Sequence, residues 1–189
     1  MRRSIVMAAF VATAVTCGAA PVTVQIEPAA DAVVASLFPD DNYGAGGAVA
    51  AGGPAAPNGY GDPGILDSFM RFDTAGLVTQ MDALYSAANW HIESATLRLN
   101  EQARPNNSLY NRGQGDFEIR WIADDGWEEG TGKPRNPTAD GVTFSTESLY
   151  LDPLTDVSLG TFANYGPGHP DDFIDLFCDL GLLTAFVDD

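Results

Sequence analysis

Cysteine is almost absent from this chain, whose 189 residues contain two, Cys17 and Cys178. That excludes a disulfide-dense scaffold and a thiolate zinc site, both of which need several cysteines at short spacing. Positive charge is scarce as well. Nine Lys and Arg stand against 26 Asp and Glu, a net charge of −17, and Lys133 is the single lysine. With no basic stripe to displace condensed counterions, binding to nucleic acid or to an anionic lipid surface is excluded as a main role. The histidines are His91 and His169. Neither lies in an H-E-x-x-H pattern, and no G-x-S-x-G elbow occurs, so no catalytic residue is assigned. No apolar run is long enough to cross a bilayer as a helix.

What is present begins with an address. Arg2 and Arg3 precede an uncharged run from Ile5 to Val15, and Gly18-Ala19-Ala20 follow before Pro21. A basic start, a short apolar stretch and small residues at the cut are the parts of a secretory leader. Residues 1–20 are expected to be that signal peptide. Residues 21–189 are expected to form one domain, secreted to the extracellular space or the cell surface, with no transmembrane segment once the leader is gone. The leader takes two of the nine basic residues, so the remainder carries seven against the same 26 acids. It also takes Cys17, leaving Cys178 with no internal partner. Such acidity keeps a surface soluble and favours cations.

The chain then reads as a series of short strands. Val22, Val24 and Ile26 alternate with polar residues, and Asp31 to Phe38 supplies a second run. Pro39 to Gly44 is dense turn chemistry, followed by a Gly-, Ala- and Pro-rich loop to Gly64. Leu66 to Phe72 is a strand, after which Asp73 or Thr74 is placed to cap a helix over residues 74–88. Leu77, Met81, Leu84, Tyr85 and Ala88 make its apolar stripe. In Ile92 to Leu99, Ala95, Leu97 and Leu99 share the inward face. Phe117 to Ile122 alternates again, and 142–144, 149–151 and 157–162 read as short late strands. Phe173 to Val187 is apolar with a weak helical period. Many short strands, one helix and no βαβ alternation predict an all-β antiparallel sandwich with one inserted helix. The apolar end at Leu182 to Val187 suggests that further strands belong after Asp189, since an exposed apolar edge invites aggregation.

Five separated stretches carry a resemblance: Asp31 in DAVV, the turn Asp41-Asn42-Tyr43-Gly44, the strand Ser68–Asp73, the strand Glu93–Leu99 and the run Arg120–Pro134. In order and spacing they resemble the secreted bacterial DNRLRE-type domain, also called disaggregatase-related, which is similar to family 96 carbohydrate-binding modules. The resemblance runs from about Ile26 to Val187. It implies a jelly-roll β-sandwich, secretion, a non-catalytic role and two or three strands beyond Val187. It transfers no site residues.

Two kinds of site follow from residue chemistry. Asp40, Asp41 and Asn42 beside a glycine-rich loop offer the hard oxygens that Ca²⁺ takes, against the alternative of an Asx-type turn bonding its own backbone. No EF-hand fits, because position 12 from Asp40 is Ala51. Ca²⁺ is thus the one cofactor the sequence suggests. For a polysaccharide or extracellular-matrix partner, loop aromatics would stack on sugar rings, and Trp127, Tyr43, Tyr60 and Tyr110 are the candidates. Trp127 stands evenly between such a platform and a core plug. Asp124, Asp125, Glu128 and Glu129 form a second acidic cluster, read first as solvated loop carboxylates. The expected function is an exported, non-catalytic module binding polysaccharide or matrix. A structural or adhesion domain of the envelope is the alternative, and a polysaccharide-degrading enzyme the remotest.

Overall fold

The computed structural model describes residues 9–15, 22–54, 64–87, 89–100, 115–164 and 173–178. Eight strands and one α-helix occur among them: β1 (Ala9–Val15), β2 (Val22–Ile26), β3 (Pro28–Ala35), β4 (Leu66–Phe72), α1 (Ala75–Tyr85), β5 (His91–Asn100), β6 (Gly115–Trp121), β7 (Val157–Asn164) and β8 (Phe173–Cys178). The fold is mainly β, and all strand pairing is antiparallel. A four-stranded sheet has the order β2-β1-β5-β8, and two two-stranded sheets pair β3 with β4 and β6 with β7.

Strand and helix patterns translate directly into packing. Helix α1 starts where the Asp73 carboxylate accepts the Ala75 N–H at 3.0 Å, which satisfies one of the free donors of its first turn. Its stripe buries Leu77 and Met81 against Ala95 of β5, with Val24, Ile26, Ile92, Phe72, Tyr85 and Trp90 around them. Leu84, counted in that stripe, is instead mostly exposed. Trp90 donates its indole N–H to Asp82 at 2.8 Å, pinning the connection after the helix. The inward face expected of β5 is buried at Ala95 and Leu97.

The β3–β4 pair is covered on both sides, which explains its nearly unbroken apolar reading. Ala30, Ala32 and Val34 share one face with Phe69 and pack on Trp127 and Val142. Val33, Ala35 and Leu66 take the other face under Tyr43 and Ala50.

Three regions differ from the sequence reading, the first spanning residues 142–151. Residues 142–144 and 149–151 are turns around a 3₁₀ turn at Glu147–Leu149. Their apolar residues Val142, Phe144 and Tyr150 serve as pads on the Trp127 cluster, a burial that needs no ladder. Phe173–Cys178 pairs with β5 as a strand rather than coiling, because the long β5 edge offers six residue positions of antiparallel register. The third is Ala9–Val15, inside the expected leader, which lies as β1 between β2 and β5. Tyr60, Tyr110, Cys17 and the stretch Leu182 to Val187 fall outside the described residues.

Candidate functional site

The turn Asp41-Asn42-Tyr43-Gly44 and the run Arg120–Pro134 are brought together by one side chain. Asn42 is fully buried. Its Nδ2 donates to the carbonyls of Glu129 at 2.8 Å and Val142 at 2.7 Å. Its Oδ1 accepts the N–H groups of Gly44 at 3.0 Å and Gly132 at 3.2 Å. Both donors and both lone pairs are therefore used. Backbone bonds from Asn42 N–H to Thr138 and from Ala45 N–H to Gly132 complete the junction. Glycine is required here for two reasons. At Gly132 a Cβ would collide with the Asn42 carbonyl, and Gly130 adopts φ +77° while a Cβ there would strike Asn42 itself.

Each of the three oxygen donors considered for Ca²⁺ meets a protein donor. Asp40 accepts the Ser145 hydroxyl at 2.8 Å, Asp41 accepts the Tyr43 hydroxyl at 3.2 Å, and Asn42 Oδ1 is filled by two amides. Among the described residues no three acidic, His or Cys side chains are grouped to share an ion. Asp140, in the same loop system, is held below the usual carboxylate range by the Thr138 hydroxyl and by bonds from Thr131.

Trp127 is 1% exposed. Its ring meets Phe69 at 5.5 Å in a tilted pair, and the Arg71 guanidinium lies 5.1 Å from its centroid. Arg71 also donates to the carbonyls of Asp125 at 2.7 Å and Trp127 at 3.0 Å. A ring so enclosed has no face free for a pyranose, so of its two readings the core plug is the one that matches this geometry. Tyr43 is half-buried on the Val33–Leu66 face.

A surface cleft lies next to the Trp127 cluster. An open cleft of about 390 Å³ is lined by Ala123, Asp124, Asp125, Leu149, Tyr150, Asp152 and Thr155. Asp156 staples its two walls, accepting the Ala123 N–H at 3.4 Å and the Asp152 N–H at 2.8 Å. Asp124 and Asp152 each spend one oxygen on a local Asx turn, with Gly126 at 2.9 Å and Leu154 at 2.9 Å. Among the described residues the Asp125 carboxylate carries no hydrogen bond, while its backbone is fixed by Arg71. The walls are thus set by the backbone, and carboxylate oxygens stay available to a ligand. Sequence reasoning placed Asp124 and Asp125 in a solvated loop and missed Leu149, Tyr150 and Asp152. Nothing in the spacing announces that residues 149–155 fold back onto 123–125.

Behind the cleft, the 3₁₀ turn carries a second unexpected feature. Asp67 lies on the same face of β4 as Phe69, the face covered by Phe144 and Tyr150. Glu147, between those two residues in the chain, has a buried Oε2 with no hydrogen-bond partner. Burial, and then the neighbouring Asp67 charge, push the Glu147 carboxyl up to about 7. Burial also raises Asp67. Asp31 rises through burial and then through Glu129.

Because Glu147 binds its proton more tightly in the fold than in the unfolded chain, its contribution is fully present below about pH 4.5 and is lost as pH climbs through about 7. Glu147→Gln is therefore expected to match the parent at pH 4 and to exceed it at pH 8. With solvent screening allowed for at a half-exposed carboxyl, the gain is about 1–2 kcal/mol, a rise in Tm of about 3–6 °C. Thermal melts of both proteins at the two pH values check this; equal Tm values at pH 8 would contradict it.

Comparison with protein-family models, curated proteins and solved structures finds no match for this chain.

Proposed function

We propose that this chain is an exported, non-catalytic β-module that holds polysaccharide through the cleft between residues 123–125 and 149–155. The cleft carries the proposal. It combines acceptor carboxylates for sugar hydroxyls with the apolar surfaces of Leu149 and Tyr150, the mixture that carbohydrate sites use. The walls are pre-set by Asp156 and Arg71, which limits the ordering cost of binding. The junction at Asn42 gives two of the motifs behind the DNRLRE-type resemblance a shared structural reason, which supports that reading of the sandwich. One shallow cleft gives weak affinity, so repeated attachment along a polymer would supply retention.

A structural or adhesion role is the second reading. Leu149, Leu151 and Leu154 are exposed at 72%, 43% and 92% beside the cleft, and clustered exposed leucines suit a protein contact. Affinity electrophoresis on acidic and neutral polysaccharide gels separates the two. Under the first reading, the parent protein is retarded on at least one neutral glycan. Asp125→Ala then loses about 1–2 kcal/mol of binding, roughly five- to thirtyfold, with its melting temperature unchanged. Asp125 is chosen because its side chain supports nothing else among the described residues. Mobility that no glycan alters, together with concentration-dependent self-association, would favour the second reading.

A further inference from the structure

We propose that the turn at residues 143–150 is a pH-operated wall of the cleft, closed on β4 while Glu147 holds a proton and lifting away when that proton leaves. No particular occupant of the cleft is needed, because the moving part is built from this chain alone.

Glu147 is badly placed for a charge. Its Oε2 is buried with no hydrogen-bond partner among the described residues, and such an oxygen costs most when it is ionised. The groups around it add to that cost. The β4 face under the turn carries Asp67, Phe69 and Arg71, opposite Val34, Ala32 and Ala30 of β3. Asp67 acts on Glu147 with the same sign. Arg71 stands four residues further along, held over Trp127 and by two carbonyls. Asp40, from the preceding turn, reaches the segment through the Ser145 hydroxyl. Asp124 and Asp125 across the cleft, and Asp152 beyond Tyr150, are acids too. Burial and then Asp67 hold the Glu147 carboxyl up at about 7, so its proton leaves near neutrality rather than in acid.

The segment is built to move as a unit. Inside it, Thr146 Oγ1 accepts the Thr143 N–H at 2.9 Å, the Glu147 N–H donates to the Thr143 carbonyl at 2.9 Å, and the Tyr150 N–H donates to the Glu147 carbonyl at 3.0 Å. Its ends are anchored. The Val142 N–H donates to the Glu128 carbonyl at 2.8 Å, and the Asp152 N–H to Asp156 at 2.8 Å. Between these anchors it meets the rest of the fold through half-buried Phe144 and Tyr150, and through Ser145, whose N–H donates to the Pro39 carbonyl at 2.8 Å. Leu149 and Tyr150 are at the same time cleft wall. Ionised Glu147 is relieved by turning into water, away from Asp67, and that motion carries Leu149 and Tyr150 with it. By linkage, anything that grips the closed wall makes Glu147 keep its proton to higher pH.

Amide hydrogen exchange read by NMR, with each rate divided into the free-peptide rate at the same pH, tests the wall in the full chain. Between pH 6 and pH 8 the protection of Ser145 and Tyr150 is expected to fall about tenfold, the change given by one carboxyl at about 7 in the closed wall and 4.5 in water. In Glu147→Gln those amides should be equally protected at both pH values. In Asp67→Asn the fall should be smaller, because one source of the raised proton affinity is gone. The β3–β4 amides should stay more protected than the turn at pH 8, since the wall opens without the strands beneath it. Protection of Ser145 and Tyr150 that does not change with pH, or that falls equally in Glu147→Gln, would overturn the proposal. Turn amides as protected as those of β3 and β4 at pH 8 would overturn it as well, by showing that they exchange through loss of the whole fold.

Discussion

Asn42→Asp is expected to be the most damaging conservative change in this protein. It adds no volume, yet it turns a buried double donor into an oxygen facing the carbonyls of Glu129 and Val142. The new carboxyl must either stay charged in a fully buried position or take a proton, which can serve one carbonyl but not both. The cost is about 3–5 kcal/mol, a large part of a typical domain's stability, and Tm should fall by about 10 °C or more. Denaturant titration gives the magnitude, and the loss should shrink at low pH, where protonation removes the buried charge. The same variant weighs the two readings of the Asp40-Asp41-Asn42 turn. A Ca²⁺ loop would tolerate or welcome an added carboxylate and would gain Tm in millimolar Ca²⁺. A folded Asn42→Asp protein with that behaviour would count against Asn42 as a junction of loops.

Trp127→Ala should come second, at about 3–5 kcal/mol. The ring is the largest side chain among the fully buried ones, and it fills the space between β3, Phe69 and Val142. Its removal opens a cavity, ends the aromatic pair and leaves the Arg71 guanidinium without its ring. Because Arg71 also holds the Asp125 carbonyl, the wall of the cleft should loosen with the core. Trp127→Phe should keep part of the packing and cost less. The denaturation midpoint measures both. A Trp127→Ala protein as stable as the parent, and deficient only in glycan retention, would restore the sugar-platform reading.

These two residues also mark where sequence pattern stops being informative. Periodicity located β2, β4, α1, β5, β6 and β7, because alternate burial writes itself into a strand and a three-to-four repeat into a helix. The buried face at Ala95 and Leu97 was legible for the same reason, and the helix start was legible from Asp73 and Thr74, of which Thr74 takes the N-cap position and Asp73 bonds the Ala75 N–H. Trp127 was not, since Asp124-Asp125-Gly126 before it and Glu128-Glu129-Gly130 after it are the company of an exposed loop. Its burial comes from β3 and β4, far away in the chain. The turn at Asn42 was legible as a turn. Its partners were not, because no local signal ties position 42 to 129, 132 and 142. The cleft shares that difficulty, being built where two irregular segments meet.

The sequence distances across the Asn42 junction, 87 to 100 residues, bear on the order of assembly. Loop-closure entropy must be met before contacts so remote can contribute. The β3–β4 pair and α1 rest on nearer neighbours and can condense first. The 129–142 loops hold a local turn at Lys133–Asn136 and bonds from Thr131 to Asp140, but their attachment to the 42–44 turn waits for the asparagine, so that docking should come last. A chain built this way stays partly open until most of it has been synthesised, and its slowest folding phase should be the one that Asn42 controls.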